Sequence, residues 1–230
     1  NALHGGADGI SQKNWKVEEL ESDRVIFSVQ TFDGESGLPG PLEIKVSYSI
    51  QNDGALKIEM SAESEKPTFC NPAFHGYWCL NNEGLSGHKL TIHADHFLPT
   101  NEALIPTGEI QSVDGTPYDL RQPKALPAEI SLDTNFCLNG SGLREAARLE
   151  TDELAMIVET DAPGLQVYDA APLNTSPVLG HSGNPYGGHA GIAMEPQVWP
   201  DAPNQPNFPS ITLRPGERFS QTSFFRIIRK

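Results

Sequence analysis

Apolar and polar side chains alternate along much of the chain, most cleanly over Leu42-Ile44-Val46-Tyr48-Ile50, with Glu43, Lys45, Ser47 and Ser49 between them. A period of two sends successive side chains to opposite faces, so this stretch predicts a half-buried strand. The pattern returns at Leu56-Ile58-Met60-Ala62 after Asn52-Asp53-Gly54, residues that readily take the positive φ of a tight turn. The two runs therefore predict a hairpin. Further strands are predicted over Val25 to Thr31, Lys89 to Ala94, Leu154 to Thr160, Leu165 to Ala170 and Phe219 to Ile228. Leu143 to Leu149 carries a hint of helical spacing through Arg144, Glu145 and Arg148, but it is short, follows Gly140-Ser141-Gly142, and is assigned to a strand.

Twenty-one glycines and nineteen prolines cut the elements into short pieces. That favours many-stranded antiparallel sheets over helical bundles or alternating α/β units. The expected fold class is all-β, a large antiparallel sandwich in one domain over residues 1–230, since all-β domains often run to this length. The segment Asn174 to Ala190, glycine-rich with two prolines and two histidines, is long for a connection without a role and is expected to border a site.

With 37% hydrophobic residues there is material for a substantial core, yet no apolar run is long enough to span a bilayer. Sixteen Lys+Arg against thirty Asp+Glu give a net charge of -14, which repels nucleic acid, anionic membranes and, more weakly, phosphorylated ligands. No nucleic-acid or membrane partner is expected, and a neutral small molecule fits best. Cys70, Cys79 and Cys137 lie far apart without metal-ligand spacing, and an odd number closes no disulfide framework. A reducing compartment, the cytoplasm, is expected.

Five polar groups sit among apolar or aromatic neighbours: His4 before Gly5-Gly6, His75 in Phe74-His75-Gly76-Tyr77-Trp78, Asp133 in Leu132-Asp133-Thr134-Asn135-Phe136, Gln166 before Tyr168, and Glu195 in Met194-Glu195-Pro196-Gln197. Burial raises a carboxyl pKa and lowers that of histidine, so such settings can poise a Glu/His pair for proton transfer near neutrality. Taken singly, each also has an ordinary structural reading, as a turn residue or a strand-end hydrogen-bonder. His181 and His189, eight residues apart in a loop, match no metal pattern, and no metal is expected. Trp78 has the best claim of Trp15, Trp78 and Trp199 to stack on a ligand ring, although core packing is the commoner fate of a tryptophan beside a strand. There is no G-x-S-x-G elbow, phosphate-binding glycine loop or dinucleotide fingerprint. Two separated acidic groups leave a glycosidase open on physical grounds.

The motifs, taken in order, resemble the aldose 1-epimerase (galactose mutarotase) family. They are Asn1-Ala2-Leu3-His4-Gly5-Gly6, Asn71-Pro72-Ala73-Phe74-His75-Gly76-Tyr77-Trp78, and the most specific, Phe97-Leu98-Pro99-Thr100-Asn101-Glu102-Ala103-Leu104-Ile105-Pro106-Thr107-Gly108-Glu109. Leu132-Asp133-Thr134-Asn135-Phe136, Gly164-Leu165-Gln166-Val167-Tyr168 and Glu195-Pro196-Gln197-Val198-Trp199-Pro200-Asp201-Ala202-Pro203-Asn204 continue the series. The resemblance spans essentially the whole chain and implies a large antiparallel β-sandwich of the galactose mutarotase type, with a sugar site on a concave face. It implies an isomerase of free aldohexoses that needs no cofactor. By matching position, Glu195 is implied as general base, His75 as general acid, and His4, Asp133 and Gln166 as groups that hold the sugar.

The chain departs from the family pattern at Gly76 and Cys79, where Ser and Asn are common, and at Thr134, where His is common. The family also carries strands and a sugar-binding arginine before the Leu-His-Gly-Gly motif, and these are expected to come from a separate or cleaved N-terminal segment associating with this chain. Two alternatives share the fold: a non-catalytic sugar-binding or sensing module, and an epimerase of hexose 6-phosphates. The second would need a basic pocket that sixteen Lys+Arg, none close in sequence to the candidate residues, do not suggest.

Overall fold

The computed structural model describes residues 2–126 and 131–230; Asn1, which opens the first motif, lies outside the described residues. Seventeen strands are described. In chain order they are β1 Lys16–Leu20, β2 Arg24–Thr31, β3 Leu42–Ile50, β4 Leu56–Glu63, β5 Thr68–Phe69, β6 Tyr77–Trp78, β7 Lys89–Ile92, β8 Ala94–Phe97 and β9 Gln111–Ser112. They continue with β10 Lys124–Ala125, β11 Asp133–Leu138, β12 Arg144–Glu150, β13 Leu154–Thr160, β14 Gly164–Tyr168, β15 Ile192–Gln197, β16 Thr212–Leu213 and β17 Phe219–Arg229.

Nine strands form one antiparallel sheet in the order β1-β2-β3-β4-β17-β13-β12-β7-β10, and six form a second in the order β6-β15-β14-β11-β8-β9. The all-β expectation holds, and no described helix is long and apolar enough to cross a membrane. The predicted hairpin is β3–β4, with Val46 opposite Met60 and Ile44 opposite Ala62. Direct partners in an antiparallel pair share a face, so these residues turn inward together while Glu43, Lys45 and Glu59 stay outside. The inner faces of both sheets contribute to one apolar cluster, in which Ile44, Ile58, Met156 and Leu149 meet Phe136, Leu165, Val167 and Ile192.

The stretch Lys89 to Ala94, expected as one strand, is two. The chain leaves the nine-stranded sheet after Ile92 and enters the six-stranded sheet at Ala94, while the His93 amide bonds the Ala146 carbonyl at 2.9 Å between them. Side-chain alternation continues through such a crossing, so periodicity cannot report it. The strand expected to reach Ala170 stops at Tyr168, and Ala170 takes a positive φ of 57°. Leu143 to Leu149 is extended as expected, shifted by one residue to Arg144–Glu150.

Leu165 has no exposed surface and lies where the sheets meet. Leu165→Ala removes three buried carbons and leaves a cavity, so unfolding free energy should fall by about 2–5 kcal/mol in urea titration. Glu43→Ala on the outer face should change it by less than about 0.5 kcal/mol. A loss under about 1 kcal/mol for Leu165→Ala contradicts this placement of the core.

Candidate active site

The site follows from the parity of three neighbouring strands. On β11, β14 and β15 alternate residues, Phe136, Leu165, Val167, Ile192 and Met194, fill the core. Their sequence neighbours must project from the other face. Register sets these into rungs: Asn135 opposite Gln166 opposite Glu195, then Asp133 opposite Tyr168 opposite Ala193, which pairs in turn with Tyr77. Gln166 bridges the rungs, its Nε2 donating to Asp133 Oδ1 at 2.7 Å.

His75 comes from a distant part of the chain, and Asn71 places it. The Asn71 side chain donates to the Val198 carbonyl at 2.8 Å and accepts from the Val198 amide at 2.9 Å, imitating a strand neighbour. Val198 follows β15 directly, so this clamp fixes the segment carrying His75 against the strand carrying Glu195. His75 Nε2 then lies 3.4 Å from Glu195 Oε1. Phe74 turns the other way into an aromatic group with Tyr48, Trp78 and Phe225. Its ring lies against Gly76, where a side chain would overlap it, which gives the departure from serine at that position a packing reason.

His4 occupies a short turn, Leu3–Gly5, with φ 54° and ψ 24°, a left-handed conformation unusual for a residue with a side chain. Gly9 lies directly beneath the His4 carbonyl, too close for any side chain. The His4 ring meets the His75 ring edge-on with centroids 5.4 Å apart. The five candidates named from the sequence, His4, His75, Asp133, Gln166 and Glu195, thus lie at one end of the outer face of the six-stranded sheet.

The electrostatics of this group are dominated by Glu195. Its residue surface is 7% exposed, and burial, reinforced by the Asp133 carboxylate, pushes its pKa from 4.5 up to about 8. Burial also lowers the His75 pKa from 6.5; His4 adds to that effect, and its own backbone hydrogen bond and Asp133 oppose it. The two shifts reverse the ordinary order of a glutamate and a histidine, so near neutrality the pair holds one proton in total, resting on Glu195. Such a pair can give a proton from one member while taking one at the other.

Two residues on this face were not singled out from the sequence, Tyr77 and Tyr168. Their rings lie 5.3 Å and 6.4 Å from that of His75 and 6.3 Å from each other. The signal was present, since Tyr77 lies two residues from His75 and Tyr168 two from Gln166. Trp78 does not stack at the site. It faces the core, 4.9 Å from Phe225 in a near-parallel stack, because parity puts it opposite Tyr77. Trp199 packs edge-on against Phe208 and donates to the Pro163 carbonyl at 3.0 Å. Among the described residues no cluster of three or more His, Cys, Asp or Glu could hold a metal.

The loop between β14 and β15, expected to border a site, begins beside Tyr168. Asp169 ties it down, accepting from the amides of Leu132 at 2.8 Å and Ala171 at 2.9 Å, which also fixes the start of β11 at Asp133. The most specific motif is a closed loop: the Asn101 amide bonds the Ile105 carbonyl at 2.9 Å and Thr107 bonds Pro99 at 2.9 Å. Asn207 and Gln205 hold its far side through the carbonyls of Gly108 and Pro106.

The sequence matches the family described as Aldose 1-epimerase over residues 1–226. It is 40% identical over 238 residues to the galactose mutarotase of Bos taurus, covering 98% of this chain and 69% of the bovine protein. It is 33% identical over 246 residues to the aldose 1-epimerase of Escherichia coli strain K12, covering 99% of this chain and 70% of that one. Among solved structures, a GalM/aldose epimerase homologue from C. elegans superposes with a TM-score of 0.92 at 28% identity, over 98% of this chain and 72% of the other. Galactose 1-epimerase from Lactobacillus acidophilus NCFM gives a TM-score of 0.81 at 30% identity, over 94% of this chain and 66% of the other.

A raised carboxyl pKa has a consequence for stability. The unfolded chain ionises Glu195 near pH 4.5 and the folded chain near pH 8. Folding stability is therefore lost as pH rises through this window, because the folded state holds the proton longer. Glu195→Gln cannot ionise, so its stability relative to the parent should be near zero below pH 4.5 and reach a few kcal/mol above pH 8. Thermal melts of both proteins from pH 4 to 9 check this; a constant difference across the range contradicts the shift.

Proposed function

The chain belongs to the aldose 1-epimerase family, enzymes that interconvert the α and β anomers of aldoses, and on that premise we propose that Glu195 and His75 carry the proton transfers. The observation that supports this is the 3.4 Å approach of His75 Nε2 to the buried Glu195 carboxyl, beside the Gln166–Asp133 pair. The anomeric hydroxyl and the ring oxygen of a pyranose are bonded to the same carbon. An acid and a base this close can therefore reach both at once.

In the first half of the cycle the shared proton, which rests on Glu195, passes to His75 across the 3.4 Å contact; the Glu195 carboxylate then takes the proton of the C1 hydroxyl while the His75 imidazolium donates one to O5. The C1–O5 bond breaks, leaving an aldehyde and an O5 hydroxyl. After rotation about C1–C2, neutral His75 takes the O5 proton, O5 attacks the opposite face of the carbonyl carbon, and the Glu195 carboxyl returns its proton to O1. Protons and electrons balance with no redox group and no covalent enzyme intermediate. Positioned proton transfer of this kind contributes about 10²- to 10⁴-fold, and holding the sugar in place supplies more.

Asp133, Gln166 and His4 are assigned to the sugar hydroxyls and the ring, and Tyr77 and Tyr168 to an aromatic wall against its carbon faces. The substrate is a neutral hexose of the galactose or glucose type. The activity for which the bovine galactose mutarotase and the Lactobacillus acidophilus galactose 1-epimerase are named and the net charge of -14 support that choice. Cys70, Cys79 and Cys137, all free thiols, suit a cytoplasmic enzyme.

Glu195→Gln should lower kcat for freshly dissolved α-D-galactose or α-D-glucose by about 10²- to 10⁴-fold in polarimetry with KM little changed, and His75→Asn should act alike. The double variant should lose little beyond the worse single one, because the two groups serve one step. A wild-type rate in Glu195→Gln would falsify the assignment of the base.

The pH profile follows from the same pair. Above about pH 8 it loses its proton and has no acid; below the lowered His75 value it gains a second and has no base. The profile of kcat/KM should therefore be a bell, with its acidic limb below the ordinary histidine value of 6.5 and its basic limb near 8. Rates flat from pH 5 to 9 contradict the shared proton.

A further inference from the structure

His88 is a buried titratable group that the proton transfers leave unused. It is 2% exposed and immediately precedes β7, whose Leu90 lies fully inside the core. Its Nε2 accepts from the Leu80 amide at 2.9 Å, so the ring proton sits on Nδ1, 3.3 Å from the Ser86 carbonyl. Burial lowers its pKa from 6.5, opposed by the Ser86 and Leu85 backbone, and the ring stays neutral near pH 7. A neutral imidazole thus serves as a fixed hydrogen-bond acceptor for one backbone amide.

That amide lies five residues after His75. Upstream of His75 the Asn71 clamp holds the segment. Downstream, β6 has only two residues, with Tyr77 opposite Ala193 and Trp78 opposite Ile192, and so short a ladder adds few bonds of its own. The Leu80–His88 bond follows it directly and ties the segment to the start of β7 in the larger sheet. The turn between them is closed internally: Asn81 Nδ2 donates to the Ser86 carbonyl at 2.8 Å and the Glu83 amide donates to Asn81 Oδ1 at 2.8 Å. The same turn is fastened to the loop that leaves Tyr168, since the Leu85 amide donates to the His189 carbonyl at 2.8 Å and the His189 amide to that of Ala170 at 3.2 Å.

We infer that His88 is a positioning residue for the acid: as acceptor for the Leu80 amide it holds the downstream end of the segment that carries His75, and so keeps His75 against Glu195. A part-buried amide that loses its acceptor either stays unpaired at a cost or moves to reach water. Movement draws the segment away from β15 at that end. An acid shifted by about 1 Å from its working place loses much of its effect, even when the change is made at a distance. The inference rests on the assignment of His75 as the acid.

The reach of a replacement amide separates the two ring nitrogens. Asparagine places its amide where Nδ1 stands and leaves the Leu80 amide without its acceptor; glutamine reaches the Nε2 position and restores one. His88→Asn should lower kcat about tenfold in polarimetry with KM changed less than about twofold. The acidic limb of kcat/KM should also rise toward 6.5, because a loosened His75 regains water. His88→Gln should recover most of both, and in a His75→Asn background His88→Asn should cost nothing further. A purely structural residue would lower Tm and leave kcat and the acidic limb in place. That result in His88→Asn, an equal loss in His88→Gln, or the same factor in both backgrounds overturns the inference and leaves the acid assignment standing. A wild-type rate in His75→Asn removes that assignment, and this inference with it. Should His88→Asn fail to fold, His88→Met, which fills the space with no strong acceptor, is read by the same criteria.

Discussion

A carboxyl group out of water is the constraint around which this molecule is arranged. Glu195, 7% exposed on a strand whose other face is solid core, lacks the solvation that keeps an ordinary glutamate ionised. The protein supplies little in its place: a histidine at 3.4 Å and, further off, another carboxylate. The cost of that burial falls on stability, and what it yields is a proton that can move at neutral pH. Much of the rest of the fold serves to hold Glu195 and His75 at that separation. The Asn71 clamp fixes the histidine segment, the Asp169 bonds fix the rung holding Asp133, and Gln221 reaches across from the larger sheet to bond the Pro196 carbonyl at 2.9 Å.

The nine-stranded sheet contributes no side chain to the candidate group, yet it sets the geometry. It covers the inner face of β11, β14 and β15, so those strands can expose polar residues on one side alone. That one-sidedness makes a two-residue spacing meaningful: Asp133 and Asn135, Gln166 and Tyr168, His75 and Tyr77 all lie on one surface by parity, and Trp78 is sent inward by the same rule.

Much of this was legible in the sequence. The β3–β4 hairpin was visible because both strands have one wet face, which writes a clear alternation, and the Asn-Asp-Gly turn joins them. The motif series named His4, His75, Asp133, Gln166 and Glu195. The switch of sheets at His93 was not legible, since alternation runs through it without a break. The two-residue strands β5, β6, β9, β10 and β16 are too short to show a period. Tyr77 and Tyr168 could have been found by carrying parity outward from the histidine and the glutamine. Asn71 could not, because its significance lies in which backbone stands opposite, a property of the folded chain.

The account turns on where one proton resides. Infrared difference spectroscopy of the free enzyme, comparing the parent with Glu195→Gln as pH is raised, observes it directly. The prediction is a protonated carboxyl band at pH 7, absent from the variant and bleaching as pH passes about 8. A Glu195 signal that is already fully carboxylate at pH 6 would contradict the account, for then burial does not govern the site.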